Sequence, residues 1–337
     1  MLSFTCENCG QLIFFENSLC LRCSTPQLFV PSRLELVALM GEVSTAGLRT
    51  CANNRLAACN WAVEEDEAGP LCRSCVLTRE RPADRDLEGL GAFAKAEAAK
   101  RRLLFELYDL GLPVDPDKLG FQLLSSHAGP VVTGHDDGLI TIDLAESDDA
   151  QREQRRAELG EPYRTLLGHF RHEIGHYYEP ILLDETGERA AARALFGDER
   201  ADYDASREAY YAQGPPADWR RHHVSAYAAM HPWEDWAETF AHYLHIRDTL
   251  QTAAAYGLLV AGPAATPDPS LMAIPPVDPG VRPFDAIIEE WLPLTYALNA
   301  VNRSMGQDDL YPFTLAPTVI RKLSFVHDRV VGAVAAR

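Results

Sequence analysis

Beyond Cys75 the 337-residue chain has no cysteine, and before His127 it has no histidine, although it holds eight of one and eleven of the other. The two inventories of metal-ligating side chains are therefore separated along the sequence. No run of about 18 apolar residues occurs, which leaves no candidate for a membrane-spanning helix. The first residues lack a basic stretch followed by an apolar one, the mark of a secretory signal, so a cytoplasmic location is expected. Positive charge is scarce: 31 Lys and Arg stand against 49 Asp and Glu, a formal net charge of −18. Such a surface repels phosphate backbones and anionic lipid, so neither nucleic acid nor a membrane is expected as partner. Within residues 1–30 the only basic side chain is Arg22, against Glu7 and Glu16. A DNA-reading role for this segment is correspondingly disfavoured.

What the first 75 residues do contain is a paired-knuckle pattern. Cys6-x-x-Cys9 and Cys20-x-x-Cys23 each wrap two thiolates around a tight turn, and two such turns complete a tetrahedral zinc shell. Cys51, Cys59, Cys72 and Cys75 supply a second set, in which only the last pair has knuckle spacing. A disulfide framework is disfavoured in a chain without an export signal, because cytosolic thiols stay reduced. Both sets read as structural zinc sites of four cysteines each. Four thiolates leave no position open for water, and a module of this size needs such staples because its own core is small.

Residues 84–110 carry a helical apolar pattern that Gly111 and Pro113 terminate, expected to link the cysteine module to the rest of the chain. Residues 121–124 and 131–133 are short strand candidates, and 138–144 is a stronger one, preceded by an Asp-Asp-Gly turn. Helices are expected over 151–161, from Pro162 onward, and over 197–212 and 232–250. Seven of the 22 prolines fall within 262–283, an irregular loop or linker. The last fifty residues read as helical, interrupted at Pro293, Pro312 and Pro317. The expected architecture is α+β. A zinc-ribbon module (1–80) and a linker helix (81–112) precede a mainly helical, zincin-like domain (113–335) with a small antiparallel sheet.

The chemistry centres on His172-Glu173-Ile174-Gly175-His176. Residues four apart on a helix lie one above the other, so both imidazoles can grip one Zn2+ while Glu173 takes a proton from water. Leu166, Phe170, Ile174 and Tyr178 form an apolar stripe on another face, as a packed helix requires. Two histidines leave the shell incomplete. The positions where a metzincin would place Gly and a third His hold Glu179 and Leu182, which excludes that class. Downstream, Glu234 and Glu238 lie one helical turn apart, with Trp233, Trp236, Phe240 and Leu244 available to face a core. One carboxylate would complete the shell, and the other would orient a ligand imidazole through its second nitrogen. Glu234 is assigned as ligand and Glu238 as the orienting group. His242, His245, Asp198, Glu199 and Asp202 remain alternatives to Glu234. His169, one turn before His172, is a possible substrate contact.

H-E-I-G-H followed by E-x-x-A-E-x-F resembles the gluzincin clan of peptidases, thermolysin included, and most nearly the lethal-factor type. That resemblance implies that the first Glu, Glu234, is the ligand and that Tyr227, seven residues earlier, is a catalytic hydrogen-bond donor to the oxyanion. The chain as a whole also resembles a bacterial family of zinc-binding metallopeptidases with an N-terminal zinc ribbon. The shared features are both cysteine sets, Cys59-Asn-Trp, the motif from Gly168 to Tyr178, the motif from Glu234 to Glu238, and Tyr311-Pro-Phe313. The implied activity is hydrolysis of a protein or peptide, with one catalytic and two structural zinc ions and Glu173 as general base. Residues 139–144 would then form a cleft-edge strand to which an extended substrate adds. The alternative is a non-catalytic zinc-binding adaptor whose ribbon docks a protein partner, but a scaffold has no need of Glu173.

Overall fold

The computed structural model describes residues 2–40, 47–159, 163–184, 186–260 and 282–335. The chain divides into two compact units: Met1–Ala157 with Thr165–Phe170, and Glu158–Arg164 with Arg171–Arg337.

The first unit opens with three small antiparallel hairpins: β1 (Phe4–Thr5) with β2 (Leu12–Ile13), β3 (Gln27–Val30) with β4 (Glu35–Ala38), and β5 (Arg49–Thr50) with β6 (Ala62–Val63). Strand β7 (Thr78–Glu80) leads into helix α1 (Leu87–Asp109), whose N-terminus Asp86 caps by accepting from the Gly89 amide. This helix is more than a spacer. Phe93, Leu103, Leu104, Phe105 and Leu107 are buried, and the Phe105 ring lies 5.3 Å from Phe15 in an aromatic cluster with Phe29 and Trp61. A cysteine module with hairpins this short buries too little apolar surface alone, and α1 supplies the missing layer.

Three further strands come after α1: β8 (Gly120–Leu124), β9 (Gly134–Asp136) and β10 (Leu139–Asp143), before helix α2 (Asp149–Leu159). They form, with β7, a sheet of order β7-β8-β10-β9. The sheet is mixed, correcting the expectation of an antiparallel one: β8 runs parallel to both β7 and β10, and only β9 is antiparallel. The cause is a two-residue turn. Asp137 and Gly138 both have positive φ, 44° and 83°, the conformation that closes a tight hairpin between β9 and β10. The hairpin sets β10 between β9 and β8, so the strand expected at an edge is paired on both sides over Leu139–Thr141. Residues 131–133 form no strand, and pairing begins at Gly134 instead. Residues 113–157, grouped with the downstream domain from sequence, are compact with the ribbon.

Helix α3 (Leu166–Leu183) carries the H-E-x-x-H motif and runs across the division between the units. It begins at Leu166, where the Thr165 hydroxyl accepts from the Gly168 amide, and Pro162 lies outside the described residues. The second unit continues with α4 (Arg189–Phe196), α5 (Tyr203–Gln213), α6 (Pro232–Ala255), α7 (Phe284–Ser304) and α8 (Pro317–Ala335). Pro293 does not interrupt α7, because Ile287, Ile288, Trp291 and Leu294 bury one face on both sides of it. The proline-rich stretch 262–281 lies outside the described residues. No helix among those described is long and apolar enough to cross a membrane.

Two constraints place α6. On one side, Lys322 of α8 reaches the buried Asp235 carboxylate at 2.5 Å. On the other, α6 crosses α3 at Gly175, where an added Cβ would stand 2.9 Å from Ala237 Cα and 3.1 Å from its carbonyl oxygen. The buried Trp236 indole donates to the Gly175 carbonyl at 2.9 Å and locks the crossing. Glycine inside a helix costs about 1 kcal/mol relative to alanine. Here its absent side chain is what lets two backbones meet.

Gly175→Ala sets that propensity gain against an overpacking cost of about 1–3 kcal/mol against backbone that cannot step aside. A lowered midpoint of thermal unfolding is expected, and a raised one would show that the crossing is not tight.

Candidate metal centres

In the first cysteine set, each knuckle is closed by its own backbone. The amides of Cys9 and Gly10 donate to the Cys6 carbonyl, and that of Ser24 to the Cys20 carbonyl. Gly10 and Ser24 both hold positive φ, 68° and 57°, immediately after the second cysteine of each pair. The turns bring Cys6 Sγ to 3.7 Å from Cys23 Sγ, and Cys9 Sγ to 3.7 Å from Cys20 Sγ. In the second set, Cys59 Sγ lies 3.6 Å from Cys72 Sγ and 3.7 Å from Cys75 Sγ. No pair is disulfide-bonded. Zinc–sulfur bonds of about 2.3 Å in a tetrahedron put sulfurs about 3.8 Å apart, whereas a disulfide needs about 2 Å. The spacing fits a shared cation in both sets. Behind the second, Arg101 donates to the carbonyls of Ala57 and Ala58, next to Cys59, and buried Lys100 pairs with buried Glu97 at 2.7 Å.

The third cluster lies in the second unit, where α3 and α6 cross. His172 Nε2 stands 2.9 Å and His176 Nε2 3.5 Å from Glu234 Oε2. All three side chains are buried, at 8 %, 7 % and 3 % exposure. Beyond these two imidazoles, no donor reaches the buried Glu234 Oε2. A buried carboxylate left to two imidazole nitrogens is costly, and a cation shared by all three removes the cost. Two nitrogens and one carboxylate oxygen are a donor set that zinc takes. The residues present fit the ion.

Around this trio the charges are arranged in depth. Glu238 Oε1 meets His172 Nδ1 at 2.7 Å, which leaves Nε2 to face Glu234. The Ser225 hydroxyl holds Glu238 in turn. Burial disfavours charge on His172, yet Glu234 and Glu238 outweigh it and drive its pKa well above the usual value. Burial likewise works to raise Glu234, but His172 and His176 hold it well below the carboxylate range. Two carboxylates converging on one imidazole make a strongly cation-seeking site. Glu173, between the two histidines in sequence, is buried at 5 % exposure. The Tyr227 ring lies 5.8 Å from His172. Burial first, then the Glu234 charge, raise its pKa, so the phenol keeps its proton.

The alternative third ligands are engaged elsewhere. His242 Nδ1 meets the Tyr311 hydroxyl at 2.8 Å, and burial pushes its pKa down to about 4. His245 Nδ1 lies 3.3 Å from Arg171. Asp198 pairs with Arg200, Glu199 with Arg193, and Asp202 caps α5. His169 Nδ1 lies 2.9 Å from Glu146 Oε2 within the first unit. Trp233, expected in the core, is 37 % exposed and sets its ring 5.2 Å from His176. One contact had no signal in the sequence: the Tyr203 hydroxyl donates to Glu234 Oε1 at 2.7 Å, across 31 residues.

Comparison with known proteins agrees with this layout. Residues 90–329 match a family described as "Putative zinc-binding metallo-peptidase". The chain belongs to that family. Residues 3–86 match a zinc-ribbon domain. An uncharacterized protein of Mycobacterium tuberculosis (strain H37Rv) is 52 % identical over 335 residues, covering 97 % of this chain and 94 % of its own length. One from Mycobacterium bovis has the same identity and coverage. No solved structure matches the chain. Family membership thus carries zinc binding and a zinc ribbon, and both have donor sets of the right kind in the structure.

Measured zinc content separates the three centres. Wild type is expected to hold about three ions per chain, and Glu234→Ala about two, because closed four-thiolate shells bind independently of the third site. An unchanged count in Glu234→Ala would remove that residue from the donor set.

Proposed function

We propose that the chain is a gluzincin-type zinc peptidase, in which a zincin-like site is carried behind a non-catalytic zinc ribbon. The observation that carries the reading is the convergence of His172 Nε2, His176 Nε2 and the buried Glu234 Oε2, with a buried Glu173 between the two histidines. A structural site would close its shell with a fourth protein ligand. Among the described residues this donor set has three members, the number that catalytic zinc sites use.

When bound there, zinc supplies Lewis acidity, polarising a carbonyl and lowering the pKa of water towards about 7. The remaining work falls to the chain. His172 and His176 donate nitrogen lone pairs, and Glu238 fixes the His172 tautomer by accepting from Nδ1. Glu173 accepts the proton of the attacking water and delivers it to the leaving amide nitrogen, so one carboxylate serves as base and then as acid. Tyr227, its phenol kept protonated, donates to the carbonyl oxygen as negative charge develops. The substrate class is a protein or peptide. The two cysteine centres support the ribbon and take no part in the chemistry.

Incubation of the zinc-loaded chain with a diverse peptide mixture, read by mass spectrometry, tests this. Cleavage is expected in wild type. Glu173→Gln should lower it by about 100-fold or more with full zinc content. Tyr227→Phe should lower it by about 100- to 1000-fold, again with zinc retained. Cleavage that survives Glu173→Gln would remove that residue as the base, and absence of cleavage from fully loaded wild type would favour the adaptor role instead.

A further inference from the structure

Helix α5 carries no buried residue. Its backbone is bracketed by Gly197 and Gly214, with φ of 105° and 74°. Asp202 satisfies its N-terminus by accepting from the Ala205 amide. Fully buried apolar side chains, the usual means of holding a helix, are therefore lacking, and half-buried side chains at its inner edge must do it. The first residue of the helix does so with a polar contact. The Tyr203 hydroxyl donates to Glu234 Oε1 at 2.7 Å, a charge-assisted bond. Its ring packs 5.3 Å from His231 and 6.0 Å from Trp233, and the Tyr227 hydroxyl is hydrogen-bonded to it in turn. Tyr203 thus spends its one phenol proton on Glu234.

We propose that Tyr203 is the positioning residue of the third metal centre, fixing Glu234 as a one-oxygen ligand and tying α5 to metal occupancy. The geometry gives the reason. Oε1 is taken by the phenol, so Oε2, the oxygen facing both imidazoles, is the one left for the cation. Without the hydroxyl, the Glu234 carboxylate loses the contact that fixes its rotation, and the donor set is no longer preorganised. The coupling runs both ways: whatever holds Glu234 in its ligating rotamer favours docked α5, and docked α5 favours the metal. This inference rests on the zinc-site reading above. It adds a residue and a helix that neither family membership nor the H-E-x-x-H motif supplies.

The test compares full-length wild type with Tyr203→Phe, Glu234→Ala and, as a control on the same helix, the exposed Tyr211→Phe. Two quantities are read: zinc affinity by competition with a chelator, and amide hydrogen exchange over 203–213 with and without zinc. Tyr203→Phe removes one hydroxyl and keeps the ring, and slow amide exchange retained across α3 and α6 reports that the second unit is folded. The expected result is a third-site affinity weakened by about 10- to 100-fold in Tyr203→Phe and unchanged in Tyr211→Phe. Zinc should slow exchange across α5 in wild type and not in Tyr203→Phe. An affinity in Tyr203→Phe within about two-fold of wild type overturns the proposal while leaving the metal site intact. A wild-type chain with no Glu234-dependent zinc overturns the site reading, and the proposal with it.

Discussion

The second unit depends on how closely α6 can approach α3. Gly175 and Ala237 let the two backbones touch, and the Trp236 indole bonds to the Gly175 carbonyl at the same point. Everything about the third metal centre derives from that crossing. His172 and His176 lie one turn apart on one helix, and Glu234 and Glu238 one turn apart on the other. With the axes this close, Glu238 meets Nδ1 of His172 and Glu234 meets Nε2. A bulkier residue at 175 would push the helices apart at the point where these pairs meet. The glycine inside H-E-I-G-H is thus a packing requirement that serves the chemistry.

Charge along α6 is partitioned in the same way. Asp235, beside Glu234 in sequence, points to the other side of α6 and is neutralised by Lys322. His242 and His245, further along the same helix, are occupied by Tyr311 and Arg171. At the start of α6, Glu234 is the acidic group whose buried Oε2 faces two imidazole nitrogens. A cation can satisfy that oxygen and two imidazole lone pairs together. In the first unit the problem is solved differently. Two thiolate sets staple short hairpins, and the aromatic face of α1 provides the core they lack.

How much of this was legible in the sequence depends on the range of each contact. The cysteine sets and the two histidines are read at spacings of three and four, because turns and helices fix those distances locally. Glu234 and Glu238 were legible as a pair for the same reason, and an aromatic-rich helix pointed to their burial. Tyr203 was invisible: its bond to Glu234 joins two elements 31 residues apart, and no periodicity marks a side chain that acts at a helix start. The sheet was misjudged for a related reason. Strand 139–143 alternates as an edge strand would, but its neighbours are set by the Asp137-Gly138 turn and by pairing to β8, which is non-local. Helix α1 was legible as a helix, and its role was not, since Phe105 alone does not say which rings it meets.

The central claim is that three atoms, Nε2 of His172, Nε2 of His176 and Oε2 of Glu234, hold one zinc ion. Anomalous scattering at the zinc absorption edge, from crystals grown with zinc, tests it most directly. The account predicts a peak about 2.0–2.2 Å from each of those atoms, beside one peak in each cysteine set. Peaks confined to the two cysteine sets would contradict it.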